Sequence, residues 1–195
     1  MNVKCIMMAG VGGQGTILAS KLMTIGLTQA GYDVKMSEIH GMSQRGGSVT
    51  SQIRYADKVY SPFIELGSAD VICAFERLEA LRCLEYLKPG GTVIVNDYRI
   101  DPMSVITGAA QYPENVIQTL KQKANTIVIE ATKLAESINA YRSTNIVLLG
   151  AVVSALGLDD INWEKIIENN VKQQFVEINK KAFCLGVESF RVKTA

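Results

Sequence analysis

Val3-Lys4-Cys5-Ile6-Met7-Met8-Ala9 runs directly into Gly10-Val11-Gly12-Gly13-Gln14-Gly15, and a helical pattern follows at once from Thr16 to Ala30. An apolar strand, a glycine turn and a helix start in series make a phosphate-cradle layout. Glycines adopt backbone angles that a Cβ forbids, and the first helical turn offers unpaired N–H groups and a partial positive charge to an anion. The spacing of Gly10, Gly12 and Gly15 fits the dinucleotide pattern G-x-G-x-x-G, and Glu38, closing the next apolar run, stands where a ribose-binding acid would. The ATPase version fails. Position 16 is Thr where a phosphate-binding Lys is required, and Ile17 replaces the magnesium-holding Ser or Thr.

Further Val- and Ile-rich runs recur at Val34 to Glu38, Val71 to Phe75, Thr92 to Asn96 and Thr126 to Glu130. Continuous apolar strands alternating with helical patterns predict a Rossmann-like, mostly parallel sheet with helices on both faces. Leu18, Leu22 and Ile25 share one side of the first helix, with Gly31 as its cap, and Leu78, Leu81, Leu84 and Leu87 recur on a second helix that Pro89-Gly90-Gly91 stops. Ser48 to Tyr55, a turn at Ala56-Asp57 and a return over Lys58 to Ser61 predict an added β-hairpin. The last third reads as helical: Thr132 to Ala140, Ser143 to Leu156, Trp163 to Asn170 and Gln174 to Phe190. Within it, Asn145 to Leu156 has almost no polar face, so it is buried against the core or against another chain.

The 195 residues, 48% hydrophobic, suit one domain spanning 1–195. Twenty basic residues against nineteen acidic ones, with no Lys/Arg run, argue against nucleic-acid binding. No apolar stretch approaches bilayer-spanning length and no signal-peptide cleavage pattern follows Ala9, so a cytoplasmic location without a membrane is expected. Cys5, Cys73, Cys83 and Cys184 are scattered without a C-x-x-C pair, so no metal site is expected, and Cys5 and Cys73 read as small buried hydrophobes.

A second loop, Ile39-His40-Gly41-Met42-Ser43-Gln44-Arg45-Gly46-Gly47-Ser48, leaves the second strand at the carboxyl edge of the sheet and is expected beside Gly10 to Gly15. Ser43, Gln44, Arg45, Gly46 and Gly47 suit a polar or anionic ligand, Arg45 through its forked guanidinium. The pair of motifs, Gly10 to Thr16 and Ser43 to Ser48, resembles the gamma-type subunits of 2-oxoacid:ferredoxin oxidoreductases. With Glu38-Ile39-His40-Gly41-Met42 ahead of the second motif, the chain looks most like the small (beta) subunits of the indolepyruvate branch. Leu87 to Gly91, Asn96-Asp97 and Asn145 to Ala151 extend the likeness over most of residues 1–190.

The resemblance implies a subunit of a thiamine diphosphate enzyme that oxidatively decarboxylates aryl 2-oxoacids, reduces ferredoxin and forms an aryl-acyl-CoA. The sequence holds no Gly-Asp-Gly with a following Asn for magnesium and diphosphate, and no cysteine array for 4Fe-4S clusters. Those cofactors are expected on a large alpha-type partner subunit. This chain alone is expected to be inactive, completing a site or binding CoA, and to self-associate as a homodimer when expressed without its partner. Backbone N–H groups at Gly12, Gly13 and Gly15, with the Gln14 side chain and the Thr16 hydroxyl, are the candidate anion cradle. His40 either shuttles a proton or bonds structurally; Glu76 and Asp97 either line the crevice or cap following segments. Three rivals stay open: a stand-alone NAD-dependent oxidoreductase, a methyltransferase suggested by Leu87 to Gly91, and a non-catalytic structural subunit.

Overall fold

A computed structural model describes residues 2–40 and 46–194. Its six strands are β1 (Lys4–Val11), β2 (Asp33–His40), β3 (Ser48–Ala56), β4 (Ala69–Ala74), β5 (Leu87–Asn96) and β6 (Asn125–Ile129), in the order β2-β3-β1-β4-β5-β6. β1, β4, β5 and β6 are mutually parallel, and β3 lies antiparallel between β1 and β2, so β3 alone runs against the rest. The mostly parallel sheet is therefore as expected, with its exception placed differently. β3 pairs along both edges, from Lys4↔Tyr55 to Val11↔Ser48 on one side and from Asp33↔Ala56 to His40↔Val49 on the other.

That double pairing corrects the predicted hairpin. Lys58 to Ser61 forms no strand, because β3 has no free edge left for a returning one. Side chains lash the segment down instead: Asp33 Oδ2 accepts from Val59 N–H at 2.9 Å, Arg54 Nη1 donates to the Ser61 and Phe63 carbonyls at 3.2 and 3.0 Å, and Gln52 Oε1 accepts from Ile64 N–H at 2.7 Å. A second correction concerns Leu87. α2 (Arg77–Cys83) ends in a single 3₁₀ turn, and Leu87 already begins β5; Pro89-Gly90-Gly91 sits in the register irregularity between the Ala69↔Leu87 and Val71↔Thr92 pairs. A proline lacks the ladder N–H, so a bulge is where a strand tolerates it.

Helices cover both faces. α1 (Thr16–Gln29), α5 (Ala131–Ser137), α6 (Thr144–Leu156), α7 (Trp163–Asn170) and α8 (Val176–Thr194) pack on one face with Ile6, Met8, Ile53, Val71, Cys73 and Ile94. α2 and α4 (Val116–Lys123) cover the other, over Met7, Ala9, Ile72, Val93 and Val95; a one-turn helix α3 (Met103–Ile106) lies between them in sequence. β1 thus contributes alternate residues to two cores, which is why it reads as an unbroken apolar run. Burial pushes the Cys83 thiol up to about 12, helped by Glu79 and Glu85, and pushes Cys73 up as well, so these cysteines are packing residues and not thiolates.

α6 settles against its own chain. Asn145 through Val153 are buried, chiefly under α8, at a crossing where Gly150 and Gly186 let the backbones meet. From Asn145 to Val153 the apolar helix is therefore covered by its own chain. Among the described residues, no helix is long and apolar enough to cross a membrane.

At the opposite edge from the glycine turn, buried Asp70 accepts from Cys5 N–H at 2.8 Å and from Lys4 at 3.3 Å, and pairs with Lys88. Burial pushes its carboxyl up, but the Lys88, Cys5 and Lys4 bonds outweigh this and hold it below the usual range. A carboxylate whose folded pKa is depressed stabilises the fold above its unfolded value, about 3.9, and loses that contribution as pH falls through the folded value. Asp70→Asn is thus expected to cost about 1–3 kcal/mol at pH 7 in urea unfolding and to cost less near pH 3, below the unfolded value. An equal penalty at both pH values would count against the ion-pair account.

Candidate functional site

The glycine turn sits at the carboxyl end of β1, the central position where an open α/β sheet presents ligands. Three of its glycines resist substitution, Gly13 because its φ is 102°. Gly15 caps α1 at φ 78°, and at Gly10 a Cβ would lie 2.9 Å from Gln14 Oε1 and Thr16 Cγ2 and 3.0 Å from Phe75 Cβ. The turn is braced from several sides. Gly12 N–H donates to the Gly47 carbonyl at 2.8 Å, which brings the exit of the second loop against the first. Gln14 Oε1 accepts from Val11 N–H at 2.7 Å while its Nε2 donates to the Phe75 carbonyl at 3.0 Å. Asn96 Nδ2 reaches the same carbonyl at 3.2 Å and Thr132 Oγ1 at 3.0 Å. From α6, Asn145 Nδ2 donates to the Gly15 carbonyl at 3.1 Å.

These bonds sort the cradle candidates. Gln14 is bonded at both ends of its amide and closes the turn, while still bordering the second crevice with one N–H and one lone pair unused; the N–H of Gly12 is taken. The N–H groups of Gly13, Gly15, Thr16 and Ile17 have no backbone acceptor among the described residues. No acidic side chain stands in the first turn of α1 to neutralise them. The result is an open, partly positive cluster of donors. Thr16 is buried and packs its methyl towards Gly10, while Ile17 is 48% exposed on the crevice lip.

Two crevices flank this cluster. One, of about 450 Å³, runs between Gly12, Gly13, Gly15, Thr16 and Ile17 and the opposite wall of His40 and Val49. The other, of about 510 Å³, is walled by Phe75, Tyr98, Ile100, Thr132, Tyr141, Arg142 and Thr144. The Tyr98 and Tyr141 hydroxyls lie 3.4 Å apart, and that bond, with partial burial, raises the Tyr141 phenol. Tyr98, Tyr141 and Arg142 carry no local motif, and Asn145 is marked in the sequence only as the start of the family-like run Asn145 to Ala151.

The remaining expectations divide. Gly46, at φ 79°, and Gly47 adjoin the turn, whereas Ser43, Gln44 and Arg45 lie outside the described residues. His40 borders the first crevice. Glu76, 1% exposed, caps α2 through Oε2, accepting from Leu78 and Glu79 N–H at 2.6 and 3.0 Å; its Oε1 accepts from the Tyr112 hydroxyl at 2.6 Å and Ile100 N–H at 3.2 Å. With four donors satisfied it is a cap, not a crevice acid. Asp97 faces a separate cavity of about 620 Å³ and is paired with Arg77 at 2.6 Å.

Glu38 lies opposite Ser51 on β3, which in turn lies opposite Met8 on β1. A dinucleotide site needs that acid on the strand adjoining β1; here β3 intervenes, a lateral separation of about 10 Å at ordinary strand spacing. The topology argues against the NAD reading.

The family model described as pyruvate ferredoxin/flavodoxin oxidoreductase matches residues 5–189. The chain belongs to this family. It is 40% identical over 190 residues to a protein of Pyrococcus horikoshii named indolepyruvate oxidoreductase subunit IorB, covering 94% of each. Its fold matches the gamma subunit of a keto/oxoacid ferredoxin oxidoreductase from Geobacter sulfurreducens with a TM-score of 0.71 at 25% identity, covering 97% of this chain and 99% of that one. It also matches 32% of a chain of the 2-oxoglutarate:ferredoxin oxidoreductase of Magnetococcus marinus, solved with 2-oxoglutarate, coenzyme A and succinyl-CoA, at a TM-score of 0.76 and 20% identity over 98% of this chain. The family assignment agrees with the resemblance read from the two loops.

Proposed function

We propose that this chain is the small, gamma-type subunit of an indolepyruvate (aryl 2-oxoacid):ferredoxin oxidoreductase, acting as one domain in the cytoplasm, and that its glycine turn holds an anionic group of CoA. The observation that carries the second part is the open donor cluster of Gly13, Gly15, Thr16 and Ile17, braced by bonds from three other parts of the chain and flanked by two crevices. The identity to the Pyrococcus subunit supports the substrate class.

In the reaction an arylpyruvate, CoA and two oxidised ferredoxins give the arylacetyl-CoA, carbon dioxide, two reduced ferredoxins and a proton. Thiamine diphosphate supplies the decarboxylating centre and 4Fe-4S clusters carry the electrons. The sequence offers neither set of ligands, so the proposal assigns both to a large partner subunit. This chain's part is to bind and orient. Its backbone donors fix the carrier's charge at the crevice, and the exposed Ile17 and Tyr141 on the lips suit closure by the partner.

The test is reconstitution with the large subunit and an assay of arylpyruvate-dependent ferredoxin reduction. No turnover is expected from this chain alone. Ile17→Asp, which puts a carboxylate on the lip of the donor cluster, is expected to raise the KM for CoA at least about ten-fold, with the KM for arylpyruvate unchanged. An unchanged CoA KM would remove CoA from the turn and leave the chain a structural subunit.

A further inference from the structure

We infer that Asn145 is a positioning residue for the glycine turn: its carboxamide reaches from α6 to hold the Gly15 carbonyl, and through it sets the direction of the N–H groups that receive the anion. The inference rests on the CoA reading of the turn and assigns a residue to it.

Asn145 stands in the first turn of the largely apolar α6 and is 4% exposed. Its Nδ2 donates to the Gly15 carbonyl at 3.1 Å, across 130 residues of sequence, while its Oδ1 is buried without a hydrogen-bond partner among the described residues. A buried acceptor left unsatisfied is costly, and what Asn145 gains against that cost is the bond from its Nδ2 to Gly15. Flipping the amide would set oxygen against the Gly15 carbonyl, so the donor assignment is fixed by its partner. An apolar residue at 145 would relieve the orphaned oxygen and would suit α6 better. What it would lose is the hold on Gly15.

That hold acts at the right peptide. Gly15 is the left-handed cap of α1, and its carbonyl also accepts the first helical bond, from Ala19 N–H at 3.2 Å. With two donors on one carbonyl, the peptide joining Gly15 to Thr16 is pinned, and the Thr16 N–H on that planar trans peptide is fixed antiparallel to the held carbonyl. The contact is close: a Cβ on Gly15 would stand 2.6 Å from Asn145 Nδ2, so with asparagine at 145 only glycine fits at 15. Ala9 and Gln14 secure the turn from the sheet side, through the backbone and side-chain bonds to Phe75, and Asn145 secures it from the helical side. Pre-organised donors lose less on binding than donors that must be ordered first.

Asn145→Ala and Asn145→Leu, each assembled with the large subunit, test this. Both are expected to raise the KM for CoA about ten-fold, with kcat at saturating CoA within about two-fold of wild type, the arylpyruvate KM unchanged and the thermal midpoint preserved, because removing one neutral donor is worth about one decade. A loss of kcat at constant CoA KM, or insoluble chains from both substitutions, would make Asn145 a folding residue and overturn the inference. Ile17→Asp separates the two readings. If it raises the CoA KM and the Asn145 variants do not, only the positioning role fails; if neither moves it, the CoA reading fails first.

Discussion

Gly186→Ala is expected to destabilise the chain by about 3 kcal/mol or more, seen as a lower urea midpoint and a thermal midpoint lowered by about 10 °C. A Cβ on Gly186 would lie 1.9 Å from the Val147 carbonyl oxygen and 2.8 Å from its carbon, and one on Gly150 would lie 2.2 Å from the Phe183 carbonyl oxygen. The obstacles are backbone atoms on both sides, so no rotamer change relieves them; α6 and α8 must move apart. Separation opens the largest helix contact of the fold and exposes Val147, Ala151, Ala182 and Phe183, all now buried. It also shifts the first turn of α6, which carries Asn145 and adjoins Tyr141 and Arg142, so surviving protein is expected to show a raised CoA KM as well. A cost below about 1 kcal/mol would mean that the two helices slide freely, contrary to the close crossing.

The same crossing explains where the sequence was legible and where it was not. An all-apolar α6 is readable from composition alone, but whether α8 or another protein covers it depends on two glycines on different helices, and local pattern carries no pairing information. Burial on both faces made the parallel strands legible as continuous runs. β3 shows the limit: its residues read correctly as a strand, while the partner was misassigned to Lys58–Ser61, because only the topology shows that β1 and β2 fill both its edges. Leu87 fell on the helical spacing of Leu78, Leu81 and Leu84 by coincidence and belongs to a strand. α4 is not legible because its cap, Asn115 at φ 56°, makes no side-chain cap bond and only eight residues follow it in the helix.

For the site, the glycine turn was legible because left-handed backbone demands glycine there. The crevice walls were not. Tyr98, Tyr141, Arg142 and Asn145 arrive from β5's exit and from the start of α6, and nothing near them in sequence announces a ligand. Gln14 was read as a ligand contact because it sits inside the motif. Its position beside the Val11 N–H and the Phe75 carbonyl gives it a bracing role that spacing could not reveal.

Glu76→Ala is the second large effect, with an expected loss of about 3–5 kcal/mol from a buried charged cap with four donors. Alanine strands the buried N–H groups of Leu78 and Glu79 at the start of α2 and removes the acceptor of the half-buried Ile100 N–H and Tyr112 hydroxyl. Glu76→Gln separates cap from charge. Its oxygen is expected to face the two α2 amides, and its Nε2 the Tyr112 oxygen, which can accept as well as donate; only the 3.2 Å bond from Ile100 is lost, for about 1 kcal/mol. Tyr112 reports the difference directly. Burial first, and then the bond to the Glu76 carboxylate, raise its phenol, so in Glu76→Gln the tyrosine is expected to ionise at lower pH than in the wild type, measured by ultraviolet difference titration. Because Ile100 and Tyr98 wall the second crevice, loosening this strap in Glu76→Ala is also expected to increase proteolytic cleavage between residues 97 and 115. Equal stability of the alanine and glutamine variants would show that the cap carries nothing and that the charge alone held the segment.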